Sequence, residues 1–141
     1  MITHHKTHYE TTIDAPLEKV WKALTDPAII RQYFFGTDLE TDWKVGSPIY
    51  FKGKWEGQEY QDKGEVLEYE HQERLAYSYL SNWSGMEDMS ENYLWVCYEV
   101  KPEGEQTHLT IHQSNYDEGK AQHSNENWAS VVDGMKKIVE D

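Results

Sequence analysis

Apolar residues at helical spacing predict one helix near the start of the chain and a longer helix at its end. The first apolar stripe follows Pro16, which suits the first position of a helix, and recurs at i, i+3, i+4 and i+7. Its members are Leu17, Val20, Trp21 and Leu24. The last segment repeats the pattern with Trp128, Val131, Val132, Met135, Ile138 and Val139. Polar residues fall between them, so this segment is predicted to be an amphipathic helix that faces a core.

A second short helix is predicted directly after the first. The first helix ends at Thr25-Asp26-Pro27, and Asp26 is a suitable N-cap for the next one. The apolar side of this second helix consists of Ile29, Ile30, Tyr33 and Phe34. Gly36 is expected to close the helical pair. The C-terminal helix has two candidate N-caps, Asp117 and Ser124.

The rest of the chain has the pattern of short β-strands separated by turn signals. A first strand precedes the helices at Thr7–Ile13, and from Asp38 onward the predicted strands are Pro48–Lys54, Glu59–Glu70, Arg74–Leu80, Tyr93–Lys101 and Thr107–Gln113. Sequential antiparallel pairing is the simplest topology for these strands. Lys101-Pro102-Glu103-Gly104 is the clearest tight turn, and Ser81–Ser90 is predicted to be a longer loop.

Within these strands the apolar residues share one parity, which predicts a common buried face because side chains alternate across a sheet. They are Ile49, Phe51, Leu75, Tyr77, Tyr79, Leu94, Val96, Tyr98, Val100, Leu109 and Ile111. Residues of the opposite parity are mostly polar. Tyr93 and Trp95 break that rule, and the pattern alone does not place them.

The composition is acidic and fits one domain spanning residues 1–141, since domains commonly hold about 100–150 residues. The 13 Lys and Arg residues against 26 Asp and Glu residues give a net charge of −13. Such a charge repels nucleic acid and anionic lipid, and no basic cluster offsets it. We therefore expect neither a nucleic acid nor a membrane as a partner.

The lack of a long apolar run and of a signal-peptide core indicates a cytoplasmic protein. No apolar run approaches the roughly 20 residues that cross a bilayer, and Met1–Lys6 lacks the apolar core of a signal peptide. Cys97 is the only cysteine, which excludes an intramolecular disulfide and an all-cysteine metal site. We interpret Cys97 as an ordinary strand residue.

The order of strand, two short helices, antiparallel strands and long C-terminal helix resembles the helix-grip fold of START-like and birch-pollen-allergen-like proteins. Residues 13–27 closely resemble the opening segment of the SRPBCC domains related to the activator of the heat-shock-protein ATPase. Later landmarks follow in that family's order, at residues 45–48, 64–68 and 74–79 and in the helix at Trp128. The resemblance implies an α+β fold with a curved antiparallel sheet of about six or seven strands and the long helix packed over it.

The resemblance also implies a cavity between the sheet and the long helix, which in relatives receives hydrophobic small molecules. Aromatic residues on the inward parity and on the helices are the strongest candidates to line it. The candidate cavity residues are Phe34, Phe35, Phe51, Trp55, Tyr77, Tyr79, Trp83, Tyr98, Ile111, Gln113, Trp128, Val132 and Met135. Tyrosine hydroxyls and the Gln113 amide would suit a flat apolar ligand with one or two polar groups.

Three functions are compatible with these observations. The leading hypothesis is binding of a hydrophobic or aromatic small molecule without a cofactor. The second is a protein-interaction module akin to the co-chaperone domains, which an exposed patch with Tyr93 and Trp95 would favour. The third is a cyclase-like or hydrolase-like enzyme with a titratable group in the cavity. No phosphate-binding loop, nucleophile elbow or HExxH helix is present, so the enzyme hypothesis has no motif behind it.

The seven histidines do not predict a metal site from their spacing along the chain. His4 and His8, like His108 and His112, are four residues apart, which is about 13 Å along a strand and too far to share one ion. We therefore interpret His4, His5, His8, His108 and His112 as solvated and predict no metal ligand.

Two polar groups suggest catalytic chemistry more weakly. His123 and Asn127 are neighbours at i, i+4 if the last helix already runs there, which places a polar pair near the cavity mouth. Glu87, Asp88 and Glu91 cluster in the long loop and would supply an acid and a base if their pKa values were raised. A solvated helix start and a solvated loop are the simpler interpretations, and no catalytic residue is predicted.

Overall fold

An antiparallel sheet forms one layer of the protein, and three helices cover its inner face. The computed structural model describes residues 1–82 and 84–140, with the side chain of Trp55 left out. The strands are β1 (Thr7–Ile13), β2 (Asp38–Glu40), β3 (Pro48–Trp55), β4 (Gln58–Glu70), β5 (Arg74–Tyr79), β6 (Leu94–Glu103) and β7 (Gln106–Gln113). The helices are α1 (Leu17–Thr25), α2 (Pro27–Tyr33) and α3 (Glu118–Val139), with a turn of 3-10 helix at Ser90–Asn92. This α+β arrangement is the expected helix-grip fold.

The strand order across the sheet is β1-β7-β6-β5-β4-β3-β2. Every pair from β2 to β7 joins strands that are consecutive in the chain, so the predicted sequential topology is confirmed. The first strand returns to pair antiparallel with the last, which sets Thr7 opposite Gln113 and His8 opposite His112. Only β2, which contains Leu39, has no counterpart among the predicted strands, because a three-residue strand carries little alternation.

Helices α2 and α3 begin where the capping residues predict, whereas Pro16 is the N-cap of α1 rather than its first residue. The Asp26 side chain accepts a hydrogen bond from the Ala28 backbone N–H at 2.9 Å and starts α2. Asp117 accepts from the Lys120 backbone N–H at 2.8 Å and starts α3. Of the two candidate caps for α3, Asp117 is therefore the cap, and Ser124 lies buried inside the helix.

The core lies between the inner face of the sheet and the apolar sides of α1 and α3. The strand residues of the predicted inward parity are all buried except Tyr79, which is partly buried. Trp128, Val131, Val132, Met135 and Val139 of α3 pack on them. Cys97 is fully buried as a free cysteine. Within residues 1–82 and 84–140, no helix has both the length and the apolar character needed to cross a membrane.

Trp95 lies on the outer face of the sheet, because its neighbours in β6, Leu94 and Val96, belong to the inner face. It is only half-buried and stacks on His112, with ring centroids 6.1 Å apart. Tyr93 is also half-buried, and its hydroxyl donates to Asp88. Neither residue forms the exposed aromatic patch that would favour a protein-interaction surface there.

Candidate functional site

A small cavity of about 10 Å³ lies between α1, α2 and the inner face of the sheet. Its lining residues are Leu24, Ile30, Tyr33, Phe34, Leu39, Trp43, Phe51, Tyr77 and Tyr98. The volume corresponds to about one water molecule. The space between these residues is therefore nearly filled in this structure, and a larger ligand requires the walls to move.

Two tyrosine hydroxyls face each other in this apolar setting. The hydroxyls of Tyr77 on β5 and Tyr98 on β6 are 2.9 Å apart and form one hydrogen bond. Burial raises the pKa of both phenols, so both stay protonated at neutral pH. Two hydroxyls hold two O–H donors, and one hydrogen bond between them uses only one. The pair therefore has an O–H left over, which no acceptor in the described part of the chain takes.

Aromatic rings surround this pair. The ring of Tyr98 lies 5.7 Å from that of Trp128 on α3, and Phe51 lies 5.4 Å from Tyr77, measured between centroids. The edge-to-face and tilted arrangements are those that aromatic quadrupoles favour. Phe34, at the end of α2, lies 6.0 Å from Trp128 and links the cavity to α3.

The polar atoms of the remaining inner residues already have partners. Trp128 Nε1 donates to Gln113 Oε1 at 2.7 Å, so the Gln113 amide oxygen is occupied by the indole rather than free for a ligand. The Tyr79 hydroxyl donates to the buried carboxylate of Asp62, which also accepts from the Asn82 backbone N–H at 2.7 Å. Burial raises the pKa of Tyr79, and the neighbouring Asp62 charge raises it further.

The structure brings together part of the predicted site. Of the candidate residues, Phe34, Phe51, Tyr77 and Tyr98 line the cavity, and Gln113, Trp128 and Tyr79 lie one contact away. Ile111, Val132 and Met135 belong to the surrounding core, whereas Phe35 is 63% exposed. Trp83 and the Trp55 side chain lie outside the described residues.

Five lining residues are absent from the predicted set: Leu24, Ile30, Tyr33, Leu39 and Trp43. Three of them carry the apolar pattern of α1 and α2, which indicates burial but not a cavity wall. Trp43 lies in the β2–β3 connection with a φ of +60°, and its Nε1 donates to the Thr25 carbonyl oxygen at 3.0 Å. A lone tryptophan in an irregular segment gives no periodic signal, so only the folded chain places it.

The chain was compared with known families and structures. Residues 14–140 match the model of the family described as Activator of Hsp90 ATPase homolog 1-like protein. The protein belongs to this family. The solution structure of ChR145 from Cytophaga hutchinsonii is 38% identical, covers 99% of this chain and 96% of its own, and has a TM-score of 0.84. A search of curated proteins finds no match.

Two more distant structures share the fold of this family member. CalU16 from Micromonospora echinospora is 22% identical over 95% of this chain and 75% of its own, with a TM-score of 0.77. The Aha1 dimer from Colwellia psychrerythraea is 19% identical over 96% of both chains, with a TM-score of 0.73. At these identities the likeness concerns the fold alone.

A larger, open groove of about 400 Å³ lies on the outer face of this family member, away from the aromatic cluster. Its lining residues are Met1, Gly64, Glu65, Leu67, Ser78, Asp88, Ser90 and Tyr93. Most of them are polar or exposed, and the groove lacks the apolar enclosure that ligand sites usually provide. We therefore place the candidate site at the tyrosine pair despite its smaller volume.

The acidic loop does not have the electrostatics of an acid–base pair. Hydrogen bonds from Lys63 and then from Tyr93 lower the pKa of Asp88, which is the opposite of what a general acid at neutral pH needs. Glu87 and Glu91 are exposed. His123 and Asn127 are likewise exposed on α3, away from the cavity lining.

Proposed function

We propose that this protein binds a small, largely apolar molecule that carries one hydrogen-bond acceptor, at the cavity beneath α2 and beside Trp128 of α3. The observation behind this proposal is the Tyr77–Tyr98 hydroxyl pair, which is buried among apolar walls and has one O–H to offer. Ligand sites typically combine such apolar walls with a few convergent polar groups. If Tyr77 and Tyr98 served only to fill space, phenylalanine would fill it equally well and would bury no hydroxyl that needs a partner.

Binding requires the cavity to grow, since ligand sites usually measure about 300–1,000 Å³. The corner formed by Phe34, Phe35 and Gly36 is the element best suited to move. Phe35 has a φ of +56° and Gly36 a φ of +71°, so a non-glycine residue is held in the left-handed region directly beside the cavity wall. The exposed ring of Phe35 loses no core packing if this corner swings outward. Phe34 then leaves its place against Trp128, and the space extends to α3.

A pair of probes that differ by one hydroxyl tests the role of the tyrosines. We expect 2-naphthol to bind about fivefold more tightly than naphthalene, since one hydrogen bond contributes about 1 kcal/mol and a factor of ten corresponds to about 1.4 kcal/mol. The double substitution Tyr77→Phe and Tyr98→Phe should remove this preference while the affinity for naphthalene stays. Phe34→Ala should tighten the binding of both probes, because it removes the side chain that closes the site.

The matched control is Leu109→Ala, which opens space in the core at a position whose register partners, Thr11 and Val100, do not line the cavity. Affinities are measured by calorimetry, and the binding site is mapped by backbone amide chemical shifts. The proposal fails if the naphthol preference survives in the double variant. It also fails if the shifts map to Leu67 and Tyr93 of the outer groove.

A protein-interaction role akin to Hsp90 activation is a second candidate, and the exposed Phe35 side chain favours it together with the family match. An exposed aromatic side chain on a corner is a common anchor of an interface. In this case Phe35→Ser would abolish capture of an Hsp90-type chaperone and any increase in its ATPase rate. No capture by the unsubstituted protein would exclude this function. Either function fits the cytoplasmic location expected from the sequence.

A further inference from the structure

The outer face of the sheet carries a pair of histidines that touch across two strands. His8 on β1 and His112 on β7 are direct partners in the antiparallel register. Their Nδ1 atoms are 3.3 Å apart, and their ring centroids are 4.8 Å apart. The spacing of histidines along one strand argued against a shared ion, but it does not measure the distance between strands.

The second nitrogen of each ring faces a carboxylate. His8 Nε2 lies 3.1 Å from Glu10 Oε2, and His112 Nε2 lies 3.0 Å from Glu99 Oε1. Ionised carboxylates only accept hydrogen bonds, so each Nε2 carries the hydrogen. A neutral imidazole has a single N–H, and therefore the two Nδ1 lone pairs are both free and lie next to each other. Two lone pairs this close repel each other, and a positive species shared between them, either a proton or a metal ion, removes that repulsion.

The geometry matches that of two ligands on one metal ion. Two nitrogens bound at about 2.0–2.1 Å to a tetrahedral ion lie about 3.3–3.4 Å apart, which is the separation of the two Nδ1 atoms. Histidines that bind metals usually donate their other ring N–H to a carboxylate or a carbonyl, as both rings do here. We propose that His8 and His112 bind a divalent transition-metal ion on the outer face of the sheet, with Glu10 and Glu99 as the outer carboxylates.

The surroundings hold the pair in place and leave it open to solvent. Trp95 stacks on His112 at an interplanar angle of 25°, and Lys6 Nζ lies 5.6 Å from the Trp95 ring centroid. The His8 and His112 side chains are 54% and 24% exposed, so an ion can reach them. Arg74 Nη1 shares Glu99 with His112 at 3.2 Å, and His108 Nε2 approaches Glu10 at 3.7 Å.

Two histidines are the only protein ligands that this site offers. Among residues 1–82 and 84–140, no three His, Cys, Asp or Glu side chains are arranged to hold one ion. Cys97 is the register partner of His112 on β6, but burial raises the pKa of its thiol to about 12, and only a thiolate ligates metals well. Water therefore completes the coordination. The tetrahedral separation of the two nitrogens fits Zn²⁺ best, whereas the general stability order of divalent ions on imidazole ligands makes Cu²⁺ the tightest binder.

Calorimetric titration of tag-free protein with Cu²⁺, Ni²⁺ and Zn²⁺ tests the proposal. The measurements use a His4→Gln, His5→Gln background, because these exposed histidines offer competing nitrogens. We expect one ion per chain, with Cu²⁺ the tightest, and weaker binding as the solution is acidified because the ligating nitrogens must be unprotonated. His8→Gln should lower the affinity at least tenfold, and Glu99→Gln should lower it by a smaller factor.

The control is His123→Gln, which removes an exposed histidine from α3 and should leave the affinity unchanged. In NMR spectra, Cu²⁺ should broaden the ring C–H signals of His8 and His112 before those of other histidines. Circular dichroism confirms that each variant is folded, and His8 on an edge strand is the safer of the two ligands to replace. If His8→Gln binds metal as tightly as His123→Gln, the pair is an imidazole hydrogen bond only, and the proposal is wrong.

Discussion

At the scale of single residues, Gly64 lets β4 and β5 approach closely, because it has a hydrogen atom where other residues have a Cβ. A Cβ placed on Gly64 would lie 1.6 Å from the Ser78 carbonyl oxygen, a backbone atom that cannot rotate away. The strands are tied at this point, since Lys63 and Leu80 exchange backbone hydrogen bonds of 2.8 and 3.1 Å and Ser78 Oγ accepts from the Glu65 N–H. Gly64 is therefore required by a close backbone approach and not by its φ angle.

Gly64→Ala should destabilise the protein by about 3 kcal/mol or more, because the strands must separate to admit the methyl group. Urea unfolding followed by circular dichroism measures the change in the free energy of unfolding. Gly119→Ala is the control, since its Cβ would meet only Asp117 Oδ1 at 3.4 Å. Gly119→Ala lies in the first turn of α3 and should leave the free energy of unfolding unchanged or raise it slightly. Equal effects of the two substitutions would contradict the close approach.

At the scale of elements, α3 is held to the sheet by polar contacts at both ends as well as by its apolar stripe. Thr7 Oγ1 donates to the Ala121 carbonyl oxygen at 2.9 Å near the start of the helix. Lys136 Nζ donates to Thr11 Oγ1 at 2.8 Å near its end. Both contacts join α3 to β1, so the position of the helix depends on the strand that also carries His8.

The Asp117 cap should make the stability of α3 depend on pH. The hydrogen bond from the Lys120 backbone N–H holds the pKa of Asp117 below its ordinary 3.8. A lowered carboxyl pKa contributes stability that is present above pH 3.8 and lost as the pH falls through the folded-state value. Asp117→Ala should therefore lower the Tm at pH 7, and the difference should close in strong acid.

Thermal unfolding between pH 2 and pH 7 measures this difference. Asp117→Asn serves as the control, because asparagine caps a helix without ionising and should retain the Tm at pH 7. A Tm difference between Asp117→Ala and the unsubstituted protein that stays constant with pH would show that the carboxylate charge plays no part.

At the scale of the whole molecule, four buried or partly buried tyrosines lie in the core. Burial raises the pKa values of Tyr33, Tyr77, Tyr79 and Tyr98 above the ordinary 10.0. These four phenols come from α2, β5 and β6, so their protonation depends on the assembled core rather than on one element. The folded core therefore favours the neutral form of all four hydroxyls.

The protein should lose stability as the pH rises above 10. The unfolded chain then releases the phenolic protons while the folded chain keeps them, so the free energy of unfolding falls with pH. Of the ten tyrosines, Tyr33, Tyr77, Tyr79 and Tyr98 should ionise only as the protein unfolds, and absorbance at 295 nm and circular dichroism follow ionisation and unfolding together. Tyr98→Phe should reduce this pH dependence. A smooth titration of all ten tyrosines in the folded protein would contradict the prediction.

The periodic parts of this protein are determined by the sequence alone. The stripe on α3, the inward parity of the strands and the Asp26 cap are local patterns, and each follows from the helix or strand repeat. The cavity itself was expected only from the resemblance to the helix-grip family. Of the candidates named for it, Phe34, Phe51, Tyr77 and Tyr98 line the cavity that the structure contains.

Only the tertiary structure decided which side chains meet. Trp43 and Leu39 reach the cavity from an irregular segment and a three-residue strand, where no repeat marks them. Gln113 is paired with Trp128, and His8 with His112, because the register of β1 on β7 and the placement of α3 bring distant parts of the chain together. Spacing along the chain fixes the direction of a side chain, whereas contacts between strands depend on register, which the whole fold sets.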